Sequence, residues 1–113
     1  MSGWIYLIRN GDLYKIGISK HINNRMRQLK PDEILAKSNI SNYRELEKQL
    51  HYRYKKVRIP QTEYFRLNIL DITDCKRIII LNSYFNYFFL RTFLRLLIYI
   101  LTIFISLISL NFL

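Results

Sequence analysis

A single cysteine, Cys75, stands in a chain of 113 residues. It excludes an intrachain disulfide and any cysteine-rich zinc site, and it suits a reducing compartment. Glycine and proline are sparse, at 3 and 2 residues, and neither a low-complexity linker nor an internal repeat is visible. The opening Met1-Ser2-Gly3-Trp4 lacks the basic and apolar regions of a signal peptide. Acidic residues are scarce: 8 stand against 18 Lys and Arg, a net charge of +10. Such a field favours acidic partners, either nucleic acid or an anionic membrane surface. Charge is wholly missing from residues 96–113.

The length allows one domain. Up to Arg77 there are 16 basic and 8 acidic residues, and beyond it only Arg91 and Arg95 are charged. The expected organisation is therefore a basic unit, 1–77, and a hydrophobic tail, 78–113. Within the tail, 96–113 is a candidate transmembrane helix. It would span ~27 Å at ~1.5 Å per residue, against a bilayer core of ~30 Å. Flanking arginines on its N-terminal side would keep the basic unit cytoplasmic. Two other readings fit the tail: a frame-shifted end in A/T-rich coding sequence, or a helix folded back and buried.

Residues 4–17 read as two short strands joined by Asn10-Gly11, the strongest short signal for a type I′ hairpin. That turn would set Tyr6 opposite Lys15, with Cβ atoms about 4.5–5.5 Å apart. Tyr6, Lys15, Trp4 and Gly17 would share one face, and Ile5, Leu7, Tyr14 and Ile16 the other. Both faces carry apolar residues, so both should be covered. Ser19 suits the cap of a helix over 20–30, with Ile22, Met26 and Leu29 as its buried stripe. Pro31 ends it. Residues 32–37 read as a third strand. Asn42 and Glu45 have the form of a capping box, opening a helix to about Val57. Its stripe is Tyr43, Leu46, Leu50, Tyr54 and Val57, with Glu47 and His51 at the edge. Residues 62–67 alternate and read as an extended return to the sheet. Asp71 and Asp74 suit the first turn of a third helix over 72–82. The fold class is α+β, a small three-stranded antiparallel sheet flanked by helices and followed by a hydrophobic C-terminal helix.

Five segments occur in order: Trp4-Ile5-Tyr6, Tyr14-Lys15-Ile16-Gly17-Ile18-Ser19, Arg25-Met26-Arg27-Gln28-Leu29, Leu46-Glu47-Lys48-Gln49-Leu50-His51, and Glu63-Tyr64-Phe65-Arg66-Leu67. In this order and context the chain resembles the GIY-YIG nuclease superfamily over residues 3–68. The phage and large-virus branch, often described as a DNA-binding domain, commonly has Lys-Ile-Gly in the second motif. The resemblance implies metal-dependent endonuclease hydrolysis of a DNA phosphodiester, with Mg²⁺ or Mn²⁺. By position, Tyr6 matches a proposed base, Lys15 replaces the second motif's tyrosine, Arg25 matches the phosphate-gripping arginine, and Glu47 the metal-holding carboxylate. Departures are Trp4 in place of the usual first glycine, a shorter loop, Leu29 where His or Tyr is frequent, and no clear late asparagine, Asn68 being the nearest.

The residue types suit these roles. A phenol titrates near ~10 and needs a neighbouring cation to act as a base at neutral pH. Guanidinium offers planar donors to phosphate oxygens. One carboxylate plus waters is a common Mg²⁺ arrangement. Lys20, Arg27, Lys30, Arg53 and Lys55, with Lys56 and Arg58, form a candidate track for a DNA backbone. Each residue also has a plain reading, as a packed aromatic or a solvated helix charge. The alternatives are a non-catalytic DNA-binding module of the same fold and a membrane-anchored protein whose basic face meets anionic lipid.

Overall fold

A computed structural model describes residues 1–112. The elements are β1 (Gly3–Asn10), β2 (Leu13–Ser19), α1 (Ile22–Leu29), β3 (Glu33–Ile40), α2 (Tyr43–Arg53), a short 3₁₀ turn (Lys55–Val57), β4 (Tyr64–Phe65) and α3 (Ile69–Asn111). The class is α+β, as expected, but the antiparallel sheet has four strands in the order β3-β1-β2-β4. The extended return at 62–67 supplies the added edge strand, pairing Tyr14 with Phe65 and Lys15 with Tyr64.

The hairpin register differs from the expected one by two residues. Asn10 pairs with Leu13, Ile8 with Lys15 and Tyr6 with Gly17. The two-residue loop is therefore Gly11-Asp12. Gly11 alone in it has positive φ, +59°, which matches a II′ turn with glycine first. Asn10 stays extended because its side chain is used elsewhere. Its Oδ1 accepts the Asp32 N–H at 3.2 Å, and its Nδ2 donates to the Tyr64 hydroxyl at 3.3 Å. A two-residue shift preserves the faces, so Tyr6 and Lys15 still share one side, now as diagonal rather than direct neighbours.

Both faces of the sheet are covered. On one, Ile5, Leu7 and Ile16 pack against Tyr43, Leu46 and Leu50 of α2, with Phe65, Cys75 and Ile79. On the other, Tyr6 and Ile8 pack against Ile22 of α1, with Trp4, Met26 and Leu29 at the margin. Both helix stripes lie where their spacing predicts. α1 is shorter than expected: the Ser19 Oγ accepts the His21 N–H at 3.0 Å and closes the strand rather than capping the helix. Lys30, left-handed at φ 46°, ends it. The Asn42–Glu45 box does not form: no side-chain bond caps α2, and the Asn42 amide donates to Asn82 at 3.4 Å. The working box lies one helix later. Asn68 Oδ1 accepts the Asp71 N–H at 2.8 Å, and Asp71 Oδ2 accepts the Asn68 N–H at 3.3 Å. α3 consequently starts earlier than predicted.

The chain divides into two compact units, Met1–Ser83 and Tyr84–Leu113. Every buried side chain among the described residues lies between Gly3 and Ile79. The second unit is helical to Asn111, and none of its most apolar 18-residue window is buried. Leu113 lies outside the described residues.

Cys75 is fully buried, and burial pushes its thiol up to about 12. A neutral, inaccessible thiol is a poor nucleophile. We expect no reaction with a disulfide reagent at pH 8 in the native chain, and stoichiometric labelling once denaturant unfolds it. Fast native labelling would contradict this packing.

Candidate active site

Tyr6 lies in β1 with 2 % of its surface exposed, its ring stacked over the Gly17 backbone across the hairpin. A Cβ placed on Gly17 would fall 2.5 Å from the Tyr6 hydroxyl and 2.6 Å from Cζ. Only the absence of a side chain at 17 makes room for the phenol. Gly17 is therefore needed for space, since its φ is not positive.

Lys15 reaches the same face from β2. Its Nζ sits 3.2 Å from Glu63 Oε2 and 5.6 Å from the centre of the Tyr64 ring. Its side chain is only 15 % exposed. β4 is two residues long, so it leaves the β2 edge open just beyond Lys15. There His51 of α2 bonds the Ile16 carbonyl at 2.8 Å. A carbonyl only accepts, so Nε2 carries the proton and the tautomer is fixed. The His51 ring also meets Phe65 edge-on, with centroids 5.0 Å apart. Glu47, one turn earlier on α2 and half-buried, lies beside His51.

Charge ties these groups together. Burial raises the Tyr6 hydroxyl to about 12; Arg25 of α1 opposes the rise, while Glu63 and Glu47 add to it. Burial also raises the Glu47 carboxyl above its ordinary value, with His51 and Lys15 opposing and Glu63 adding. The fold thus gathers Tyr6, Lys15, Arg25 and Glu47 from four elements into one electrostatic cluster. The supposed activation of Tyr6 by Lys15 is not found. Lys15 stands opposite Ile8 and is closed onto Glu63, and the cation that Tyr6 feels is Arg25. At neutral pH Tyr6 is a protonated phenol.

Glu63 begins the fifth motif, but no motif position gives it a role. A lone carboxylate opening an alternating apolar segment, one residue before the Lys15 partner Tyr64, was the available signal. Arg25 forms no ion pair among the described residues, and neither do Lys20, Arg27 or Lys30. Arg53 is not free for a DNA backbone: it grips Asp74 at 2.6 and 3.2 Å. The Tyr54 hydroxyl donates to the same Asp74 at 2.7 Å, so this cluster pins α2 to α3. These bonds hold the Asp74 carboxyl below its usual range. Lys55 lies over the Tyr52 ring, 4.1 Å from its centre.

No group of three or more His, Cys, Asp or Glu among the described residues forms a metal-binding cluster. The donor chemistry still fits a hard divalent ion of the Mg²⁺ class. Such an ion is commonly held by one or two carboxylates, water and substrate phosphate. Glu47 is a half-buried carboxylate on which burial outweighs the nearby charges of His51 and Lys15.

The family model of the T5orf172 domain matches residues 3–80. No curated protein and no solved structure matches the chain.

Proposed function

This chain belongs to the T5orf172 domain family, and on that premise we propose that it is a metal-dependent DNA endonuclease of the GIY-YIG type. The family suggests a nuclease-like or DNA-binding role. The finer reading is supported by one observation: the Tyr6 phenol of β1 feels both the Arg25 guanidinium of α1 and the half-buried Glu47 carboxylate of α2. In this reading Glu47 holds Mg²⁺ or Mn²⁺. A bound divalent ion stabilises developing charge on a phosphodiester oxygen. Arg25, unpaired and exposed, places its planar donors on phosphate oxygens. Tyr6 keeps its proton at rest and offers it as a hydrogen bond toward the reacting phosphate. Lys15 and Glu63 hold each other in place beside it.

The test is the full chain with supercoiled plasmid and Mg²⁺ or Mn²⁺, with a chelator control. Metal-dependent nicking supports the reading. DNA retention without nicking under either metal rejects it in favour of a non-catalytic DNA-binding module. That second reading has its own support: the phenol pushed up to about 12 and the ammonium occupied by Glu63 describe a centre that is not activated at rest.

We propose in addition that the second unit is a membrane anchor. Its helix is exposed and its best window has a mean hydropathy of 2.4. Arg91 and Arg95 precede the uncharged stretch, an arrangement that keeps a basic unit on the cytoplasmic side. Liposome flotation of the full chain should persist in about 1 M salt, where the Debye length is only ~3 Å. Release by salt would mean that the basic face alone holds the lipid.

A further inference from the structure

The sheet face that carries Tyr6 continues to Trp4, two residues back along β1 and ~6.6 Å away at ~3.3 Å per residue. A cavity of about 380 Å³ opens there between the indole and the start of α1. Lys20, His21 and Arg27 line it, and no carboxylate does. Arg27 is aimed by its own helix: its Nη2 donates to Asn24 Oδ1 at 3.0 Å and its Nε to the Asn23 carbonyl at 3.3 Å. Elsewhere Arg9, Lys15, Arg53 and Arg77 are closed onto carboxylates. Lys20 and Arg27 have no such partner among the described residues. Trp4 is half-buried, its inner side against the Tyr6–Ile8–Ile22 cluster.

We propose that this cavity is a subsite for one unpaired nucleotide, its base stacked on Trp4 and its phosphate held by Lys20 and Arg27. An aromatic face beside cations is the chemistry that holds single-stranded nucleic acid without reading its sequence. A base inside a duplex presents only its edges, so the indole needs one that has left the stack. The volume lies in the range of small-ligand pockets, ~300–1,000 Å³. The subsite rests on the reading that this chain acts on nucleic acid, but it does not require cleavage. It would make frayed, flapped or single-stranded DNA the preferred substrate class.

Trp4 is the only tryptophan, so its fluorescence reports this cavity alone. The full chain in non-ionic detergent with chelator is titrated with a short oligothymidylate, a blunt duplex and inorganic phosphate. We expect saturable quenching by the oligothymidylate and much weaker quenching by the duplex. Arg27→Ala and Lys20→Ala, both surface changes, should each weaken oligonucleotide binding several-fold. Trp4→Leu should weaken it roughly 10-fold, followed by anisotropy of a labelled strand. Trp4→Phe should restore part of that loss. The proposal is overturned by binding without quenching, by equal quenching with the duplex, or by the same response to phosphate alone, which would mean an anion site only. Its failure is separable from that of the endonuclease reading. Nicking lost in Glu47→Ala leaves the latter standing whatever the fluorescence does, and quenching without nicking does the reverse.

Discussion

Glu47→Ala should reduce Mg²⁺- or Mn²⁺-dependent plasmid nicking at least ~100-fold while leaving DNA retention in a mobility-shift assay nearly unchanged. A bound ion is worth several kcal/mol of charge stabilisation, and no three-residue acidic cluster among the described residues offers a substitute. Retention rests mainly on lysine and arginine contacts to phosphate, which this change does not touch. The same carboxylate has a measurable effect on stability. Its folded-state pKa is raised, chiefly by burial, so the folded chain binds that proton more tightly than the unfolded chain does. Below the unfolded value, ~4.3, the group costs nothing. As pH rises from there through the folded value, stability falls, and at neutral pH the buried charge is a net cost. Glu47→Gln should therefore melt higher than the parent at pH 7 in chelator, with the difference vanishing near pH 3. The side chain is half-exposed and solvent-screened, so the gain is small but of fixed sign. Added Mn²⁺ should stabilise the parent and not the variant. Nicking that survives Glu47→Ala, or a lower melting point for Glu47→Gln, would remove Glu47 from the centre.

Much of this geometry was legible in the chain, and the reason is periodicity. The two-residue alternation of β1 and β2 fixes which side chains share a face, and a turn displaced by two residues leaves those faces unchanged. The spacings in α1 and α2 likewise fix Ile22, or Leu46 and Leu50, as buried, with Met26 at the margin. The register was not legible. Asn10-Gly11 is equally at home as the central pair of a turn or as the last strand residue plus a II′ glycine. The choice is made by Asn10 contacts with Asp32 and Tyr64, residues distant in sequence. The alternation of 62–67 shows an extended return, but not that Tyr64 and Phe65 pair with β2 as a fourth strand, because that pairing is a long-range contact. α3 starts earlier than the acidic residues suggest because Asp71 is more than a dipole partner: Asn68 and Asp71 close a reciprocal box. Asp74, read the same way, instead bonds Arg53 and Tyr54. The candidate site was half visible. Tyr6, Lys15, Arg25 and Glu47 stand out in the sequence by their match to the motifs, but the ion pair of Lys15 with Glu63 and the charge of Arg25 on Tyr6 depend on long-range packing that local pattern leaves undecided.

Gly17→Ala should be the single-methyl change in the sheet that costs both stability and activity. The new Cβ would meet the Tyr6 hydroxyl at 2.5 Å, Cζ at 2.6 Å and Cε2 at 3.0 Å. Phenol rings can swing aside when solvent is near, but Tyr6 is only 2 % exposed and is packed against Ile8 and Ile22. Overpacking of this kind costs ~1–3 kcal/mol, which for the Met1–Ser83 unit corresponds to roughly 5–20 °C in melting temperature. Displacing the ring also moves its hydroxyl away from Arg25 and the two carboxylates, so nicking should fall at least as far as in Tyr6→Phe. A double variant separates the two effects. Tyr6→Leu removes the obstructing ring, so Gly17→Ala on that background should cost almost nothing, a coupling expected only of residues in contact. Stability would be largely recovered and activity would not. Gly3 is the matched control on the opposite face, where an added Cβ would meet the Tyr43 ring at 2.6 Å. Gly3→Ala should lower the melting temperature to a similar degree, yet retain nicking at temperatures where the variant is folded. If Gly17→Ala kept both its stability and its nicking, Tyr6 would not occupy the space above Gly17, and the phenol would have no place in this centre.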